Sequence, residues 1–225
     1  IPGLAEQFVY FNDDMFLIRP VPETAFFRDG LPCTCGGEYP IELVGEIGIW
    51  QHAAVNDIGV LNAHFDKRAQ VRQFGRKYAD RAYRWQDNIR TKAIEKLFPN
   101  YFTGFRNLHA PAAYRKRTFE EVWNAEPELL ARTTAHRFRS AEDVNQWVCL
   151  WWQIASGQFA PFNTDNVVSC ADESTIGELC SIIRKQRHDM LCINDPNADV
   201  DHERLAAQLR GAFEAILPEK SAFEK

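Results

Sequence analysis

Asn12, Asp13 and Asp14 interrupt an apolar run that opens at Phe8-Val-Tyr-Phe11 and resumes at Met15, Phe16, Leu17 and Ile18. Two adjacent carboxylates in such surroundings are expensive to desolvate unless a cation, a donor or water satisfies them. A second apolar stretch, Met190-Leu-Cys-Ile193, also ends in Asn194-Asp195. Strands that finish on acids would bring them to one site, because ligands of open α/β sheets bind at the carboxyl ends of strands. The rival reading is that each Asn-Asp only opens a turn. His109 lies two residues before Pro111, after a loop-like stretch. A lone histidine is more often structural than catalytic, so both readings stand on residue type alone. Arg139 precedes Ser140, a good N-cap, and a guanidinium at a helix start would suit an anion. Its rival is a surface ion pair with Glu142 or Asp143. Phosphoryl transfer needs little beyond such groups: charge neutralisation, an aligned hydroxyl and a proton acceptor. Carboxylates, with waters and substrate oxygens, are the expected ligands of Mg2+ or Mn2+. An imidazole can take a hydroxyl's proton at neutral pH, and an arginine can hold a phosphate through parallel hydrogen bonds.

The elements that must position these groups are read from pattern. Phe8–Phe11 and Met190–Ile193 have the composition of short buried strands. Arg19-Pro-Val-Pro22 resists helix, Asp29-Gly-Leu-Pro32 is a turn, and residues 33–40 with Gly36-Gly37 read as an irregular loop. That glycine pair lacks the context of a phosphate loop. Helical spacing runs over 46–65 through Ile47, Trp50, Ala54, Ile58, Leu61 and Phe65. The basic and aromatic stretch 67–96 reads as a partly solvated helical face with Phe74, Tyr78 and Tyr83 inward; contact with anionic lipid is the weaker option. Residues 97–107 are a loop. Thr118-Phe-Glu-Glu121 has the form of a capping box, which predicts a helix starting after Thr118, and Pro127 suits the end of that helix or the first turn of the next. Ser140 and Asp143 predict a helix start, carrying a core stripe of Val144, Trp147, Val148, Trp151 and Ile154 up to Gly157 and Pro161. Ser174 would cap a helix to about residue 187, and a last helix spans 202–217 before Pro218.

Bulk properties narrow the classes. The chain has 225 residues, 45% hydrophobic and 25% charged, with a net charge of −5. That is a globular balance, and its sign argues against nucleic acid as a partner. An anionic donor would therefore need locally placed cations or a metal. Cys33, Cys35, Cys149, Cys170, Cys180 and Cys192 form no CxxC pair, which favours a reduced setting with Cys149 and Cys192 in the core. The acids from Asp195 to Asp201 lack the glycine and terminal glutamate of a calcium loop. Trp147–Ala155 is too short to span a bilayer, and no leader opens the chain, so a cytoplasmic location is expected, with peripheral contact at the inner face of the membrane as an option.

Beyond these patterns, Phe8-Val-Tyr-Phe-Asn-Asp-Asp-Met-Phe16 resembles the signature of the Stealth family, the sugar-1-phosphate transferases of bacterial capsules, to which the lysosomal-targeting N-acetylglucosamine-1-phosphotransferase of animals is related. Thr103-Gly-Phe-Arg-Asn-Leu-His-Ala-Pro111, Phe119-Glu-Glu-Val-Trp123 and His136–Trp147 resemble its third conserved region. Met190–Asp195 and Leu217–Glu224 resemble its fourth. Asn56 and Asn62 resemble, more loosely, asparagines the family carries. The family's first region, an apolar strand ending near Trp-Val-Asp-Gly, has no counterpart, so an upstream part of the domain is expected to be missing. The resemblance implies transfer of a sugar-1-phosphate, such as N-acetylhexosamine-1-phosphate, from a UDP-sugar to a hydroxyl of a saccharide acceptor, lipid-linked or free. A phosphodiester forms and UMP leaves. It places Asn12, Asp13, Asp14, His109, Arg139, Asn194 and Asp195 at the site. Within that set we assign metal or acceptor binding to Asp13, Asp14 and Asp195, the base to His109, the phosphate clamp to Arg139, and substrate contacts to Asn12, Arg139, Asn194 and Asp195.

The expected architecture is α/β and helix-rich, a twisted, mostly parallel sheet flanked by helices, glycosyltransferase-A-like or Rossmann-like. Residues 1–225 are expected to form one catalytic region with a helical insertion around 46–100. A nucleotide-sugar glycosyltransferase, a carboxylate-pair glycosidase and an inactive sugar-binding or scaffold domain share these residue types. The identity of the nucleotide released separates the first of these from a phosphotransferase.

Overall fold

A computed structural model describes residues 3–170, 176–193 and 201–223. The chain forms two compact units: Ile1–Tyr10, Glu23–Asn107 and Ala112–Thr164 make the first; Phe11–Pro22, Leu108–Pro111 and Asp165–Lys225 make the second. The α/β, helix-rich expectation holds, in line with a glycosyltransferase-like class. The described strands form three small sheets with two parallel and three antiparallel pairings, where a mostly parallel sheet was expected. The strands are only two to four residues long and are separated by long helices and loops, so they make several short ladders rather than one extended sheet.

In the first unit β1 (Gln7–Tyr10) pairs antiparallel with β5 (Ala112–Arg115). β3 (Phe27–Arg28) and β4 (Leu31–Thr34) form a hairpin across Asp29-Gly30, both with positive φ, and β6 (Ala160–Pro161) lies parallel to β4. Helices α1 (Ile49–His64), α2 (Lys67–Tyr78), α3 (Trp85–Leu97), α4 (Lys116–Ala125), α5 (Pro127–Ala135) and α6 (Trp147–Ala155) complete it. α6 is buried on nearly every side and carries Val148, Trp151 and Ile154 into a core with Leu61, Phe102, Tyr114 and Phe159, as its stripe predicts. Tyr78 and Tyr83 are buried as expected, and Pro127 opens α5.

Three local expectations are corrected. Helix α4 begins at Lys116, so Thr118 lies inside it and is buried. Its hydroxyl donates to Gln153 Oε1 at 3.2 Å, and the same oxygen accepts the Arg115 amide at 3.0 Å while Gln153 Nε2 donates to Ala113 O at 3.2 Å. A buried glutamine that satisfies three neighbours outweighs a local cap, because the Thr118 and Gln153 side chains are buried and would be costly to leave unpaired. The irregular stretch expected over 33–40 starts later: Cys33 and Thr34 finish β4, and Cys35–Glu38, though irregular, are buried. A Cβ on Gly36 would stand 2.5 Å from the Phe159 ring, so the glycine serves packing. The third correction, at Ser140, belongs to the site below.

The second unit holds β2 (Met15–Leu17), β7 (Val167–Cys170), α7 (Ile176–Lys185), β8 (Met190–Ile193) and α8 (His202–Glu214). Its sheet order is β2-β8-β7, with β7 parallel to β8 through α7 and β2 antiparallel to β8. Ile18, Leu179, Ile183, Leu191 and Ala212 form its core, with Phe16 tilted against Phe213. Asp201 caps α8 by accepting the Arg204 amide at 3.1 Å. The proposed cap Ser174 lies outside the described residues. Among the described residues no helix is long and apolar enough to cross a membrane.

Candidate functional site

The antiparallel pairing of β2 with β8 places the turn before β2 beside the carboxyl end of β8. Met15 is registered with Cys192, and the Ile193 amide donates to Asp14 O at 2.9 Å. The turn is closed by the Met15 amide on Asn12 O at 3.3 Å and the Asn12 amide on Met15 Sδ at 3.5 Å. Asp13 is exposed, and Asp14 and Asn12 are half-buried. The Cys192 thiol donates to Asp14 Oδ2 at 3.4 Å. Asp14 Oδ1 is buried and has no hydrogen-bond partner among the described residues. An orphaned carboxylate oxygen of this kind calls for an explanation, since desolvation without a bond costs on the order of 1–3 kcal/mol.

His109 joins this cluster: its Nδ1 stands 4.0 Å from Cys192 Sγ. Its backbone has φ of 41°, a left-handed conformation uncommon outside glycine. Such conformations are held by their surroundings and concentrate at functional sites. Here the buried Pro111, two residues on, fixes the chain before β5. Asp14, Cys192 and His109 are thus brought together within the second unit, where β7 and β8 present their carboxyl ends on one side of a parallel pair. Cys192 was expected only as a core residue. It is buried, and its thiol also bridges the two candidate groups. Asn194 and Asp195 lie outside the described residues. Among those described, no group of three His, Cys, Asp or Glu side chains is assembled for a metal ion.

Arg139 belongs to the first unit and is exposed. The helix expected to start at Ser140 does not: residues 140–143 make a turn, and α6 starts at Trp147, with its amide bonded to Asn145 Oδ1 at 2.7 Å. Asp143, instead of sitting in a first helical turn, accepts the Ser140 amide and His136 Nδ1, each at 2.7 Å. Burial raises the Asp143 carboxyl, but the Ser140 amide and His136 outweigh it and hold the group below its ordinary range. Glu142 faces Arg132 at 4.0 Å, so the ion pair weighed for Arg139 is not formed among the described residues. What fixes this segment is α1. Asn56 Nδ2 donates to Ala141 O and Asp143 O, both at 2.9 Å, and the Asn145 amide donates to Asp57 Oδ1 at 3.1 Å. Burial pushes the Asp57 carboxyl well above its usual range. Asp57 was not foreseen, because an acid within a helical pattern reads as a solvated position until its distant partner is known. Asn62 likewise grips Phe102, accepting its amide at 2.8 Å and donating to its carbonyl at 2.9 Å.

Comparison with known proteins bears on the family. The family model described as Stealth protein CR3, conserved region 3, matches residues 108–150, and that of Stealth protein CR4, conserved region 4, matches residues 181–225. The first span holds His109 and Arg139, the second Cys192. Receptor polysaccharide phosphotransferase WefC of Streptococcus gordonii is 33% identical over 229 residues, covering 100% of this chain and 66% of its own length. Exopolysaccharide phosphotransferase cps2G of Lactiplantibacillus plantarum is 34% identical over 230 residues, covering 100% and 65%. Capsular polysaccharide phosphotransferase WcwK of Streptococcus pneumoniae is 33% identical over 229 residues, covering 100% and 66%. The chain spans about two thirds of the length of these relatives. Two conserved regions in order, with similarity along its whole length, show that the chain belongs to the Stealth family.

Proposed function

We propose that the chain carries catalytic groups of a polysaccharide phosphotransferase, which moves a sugar-1-phosphate from a UDP-sugar to a hydroxyl of a capsular or other cell-surface saccharide. The observation that carries this reading is the Asp14–Cys192–His109 cluster with its orphaned Asp14 oxygen and constrained histidine. The names of the relatives, all polysaccharide phosphotransferases, supply the reaction class.

In this reading the acceptor oxygen attacks the phosphorus that bears the sugar. Its proton passes to the His109 imidazole, the bond to the bridging oxygen breaks, and UMP leaves with that oxygen. The anomeric carbon is untouched and keeps its configuration. Arg139 holds a phosphate through parallel N–H donors, and Asn12, Asn194 and Asp195 contact substrate. Asp14 Oδ1 fits a Mg2+ or Mn2+ ion, being a buried anionic oxygen with no other bond; Asp13 and Asp195 complete the proposed oxygen set. Such an ion would neutralise phosphate charge. The net charge of −5 makes local neutralisation of this kind necessary for a nucleotide-sugar donor.

The test is to incubate the protein with UDP-N-acetylhexosamines, a saccharide acceptor and Mg2+ or Mn2+, and to identify the nucleotide released. UMP with a phosphodiester product is expected. Release of UDP would assign glycosyl transfer instead.

A further inference from the structure

Arg139 lies in an irregular stretch between α5 and α6, so neither a helix nor a strand fixes its backbone. Asp143 does so instead. Its carboxylate accepts from His136 Nδ1 and from the Ser140 amide, each at 2.7 Å, and these two residues stand on either side of Arg139 in the sequence. The backbone oxygen of Asp143 is in turn held by Asn56 Nδ2 at 2.9 Å, and the same nitrogen donates to Ala141 O at 2.9 Å. An amide nitrogen has two N–H donors, so Asn56 spends both on this turn. Asp57, the next residue of α1, accepts the Asn145 amide at 3.1 Å. Asp57 is buried and its Oδ2 has no hydrogen-bond partner among the described residues, so this grip costs desolvation. Where a fold gives up stability to anchor one short turn, a demand on the shape of that turn is the physical reason.

An arginine clamp makes such a demand. A guanidinium forms two parallel hydrogen bonds to a phosphate only when its planar fork is aligned, and its long side chain must be ordered on binding. A backbone fixed beforehand takes part of that cost out of the binding step. Helix α1 also carries an internal comparison. Asn62 makes a clip of the same size on the core residue Phe102, accepting its amide at 2.8 Å and donating to its carbonyl at 2.9 Å. We propose that Asn56 is a positioning residue that sets the Arg139 guanidinium for the donor's phosphates through Asp143, whereas Asn62 only holds the fold. This role rests on the proposed phosphate clamp at Arg139; the geometry of the clip does not.

The test is UDP binding with Mg2+, measured by calorimetry without acceptor, so that no turnover is needed, and well below the melting temperature of every variant. Arg139→Met is expected to weaken binding on the order of tenfold or more, the loss of a charge-assisted pair. Asn56→Ala should weaken it on the order of fivefold, and should add little in the Arg139→Met background, because the two act through one group. Asn62→Ala should lower the thermal melt about as much as Asn56→Ala, each losing two hydrogen bonds, yet bind UDP like the wild type. Affinity unchanged by Asn56→Ala, an equal loss in Asn62→Ala, or a full further loss in the double variant would each overturn the positioning role and leave the clamp in place. Affinity indifferent to Arg139→Met, or no binding by the wild type, would remove the clamp and the positioning role together.

Discussion

Asp14 drew notice in the sequence because it breaks an apolar run, and His109 because it lies in a loop and matches the family resemblance; the structure brings the two to one thiol. Asp14→Asn is expected to lower turnover far more than stability, since removing one charge from a crowded acidic turn seldom unfolds a domain. His109→Ala should reduce turnover by on the order of 10²–10⁴-fold if the imidazole accepts the proton. Arg139→Lys should also be poorly tolerated, because an ammonium cannot reproduce a bidentate fork. UMP release and thermal melts on the three variants check this set; wild-type rates for any one would remove that residue from the mechanism. Cys192 was only half legible: a cysteine in an apolar strand reads as core, and nothing in one dimension shows that its thiol faces a carboxylate. Asp57 and Asn56 were less legible still, since their partners stand more than eighty positions away in a turn.

At the level of elements, periodicity located the helices well and their starts poorly. α6 carries the apolar spacing expected of it, and α1 buries Ala54 and Leu61 but leaves Ile47 and Trp50 of the expected stripe exposed; the caps assigned to Thr118 and Ser140 are used otherwise. Capping signals are two or three residues long, and a buried partner such as Gln153 overrides them. α2 shows a different device that pattern could not reveal. Lys67, at its first position, is 0% exposed and bonds Glu38 at 2.7 Å and Phe98 O at 2.9 Å. Lys67→Met should cost about 3–5 kcal/mol at neutral pH, because it strands a buried carboxylate. Burial already raises the Glu38 carboxyl, despite the Lys67 bond that lowers it. An unfolded glutamate titrates near 4.3. A folded value above that favours the neutral form inside the protein, so stability is retained at low pH and lost as pH rises through the raised value. The penalty in Lys67→Met should therefore shrink on acidification towards pH 5 and widen towards pH 8, as paired thermal melts would show. An equal penalty at both values would mean that Glu38 finds another partner.

Across the whole molecule, the two units are assembled from three segments each, and the four-residue segment Leu108–Pro111 that carries His109 is flanked on both sides by chain of the other unit. The acidic turn is likewise remote in sequence from its strand partner, with Met15 registered on Cys192. This has a consequence for biosynthesis. Among the described strands β2 pairs with β8 alone, so everything between Leu17 and Met190 is made first, and at about 5–20 residues per second that wait lasts on the order of ten seconds or more. During it, Met15, Phe16 and Leu17 are an unpaired apolar segment open to wrong pairing. Long-range pairing is also intrinsically slow, since loop closure must precede any gain from contacts. In refolding from denaturant, pulsed hydrogen exchange should show the amides of β2 and β8 gaining protection together and later than those of α1 and α6. Early protection of β2 would mean that the strand is held first by some other contact. The same order means that the candidate catalytic turn takes its shape only once β8 is available to β2.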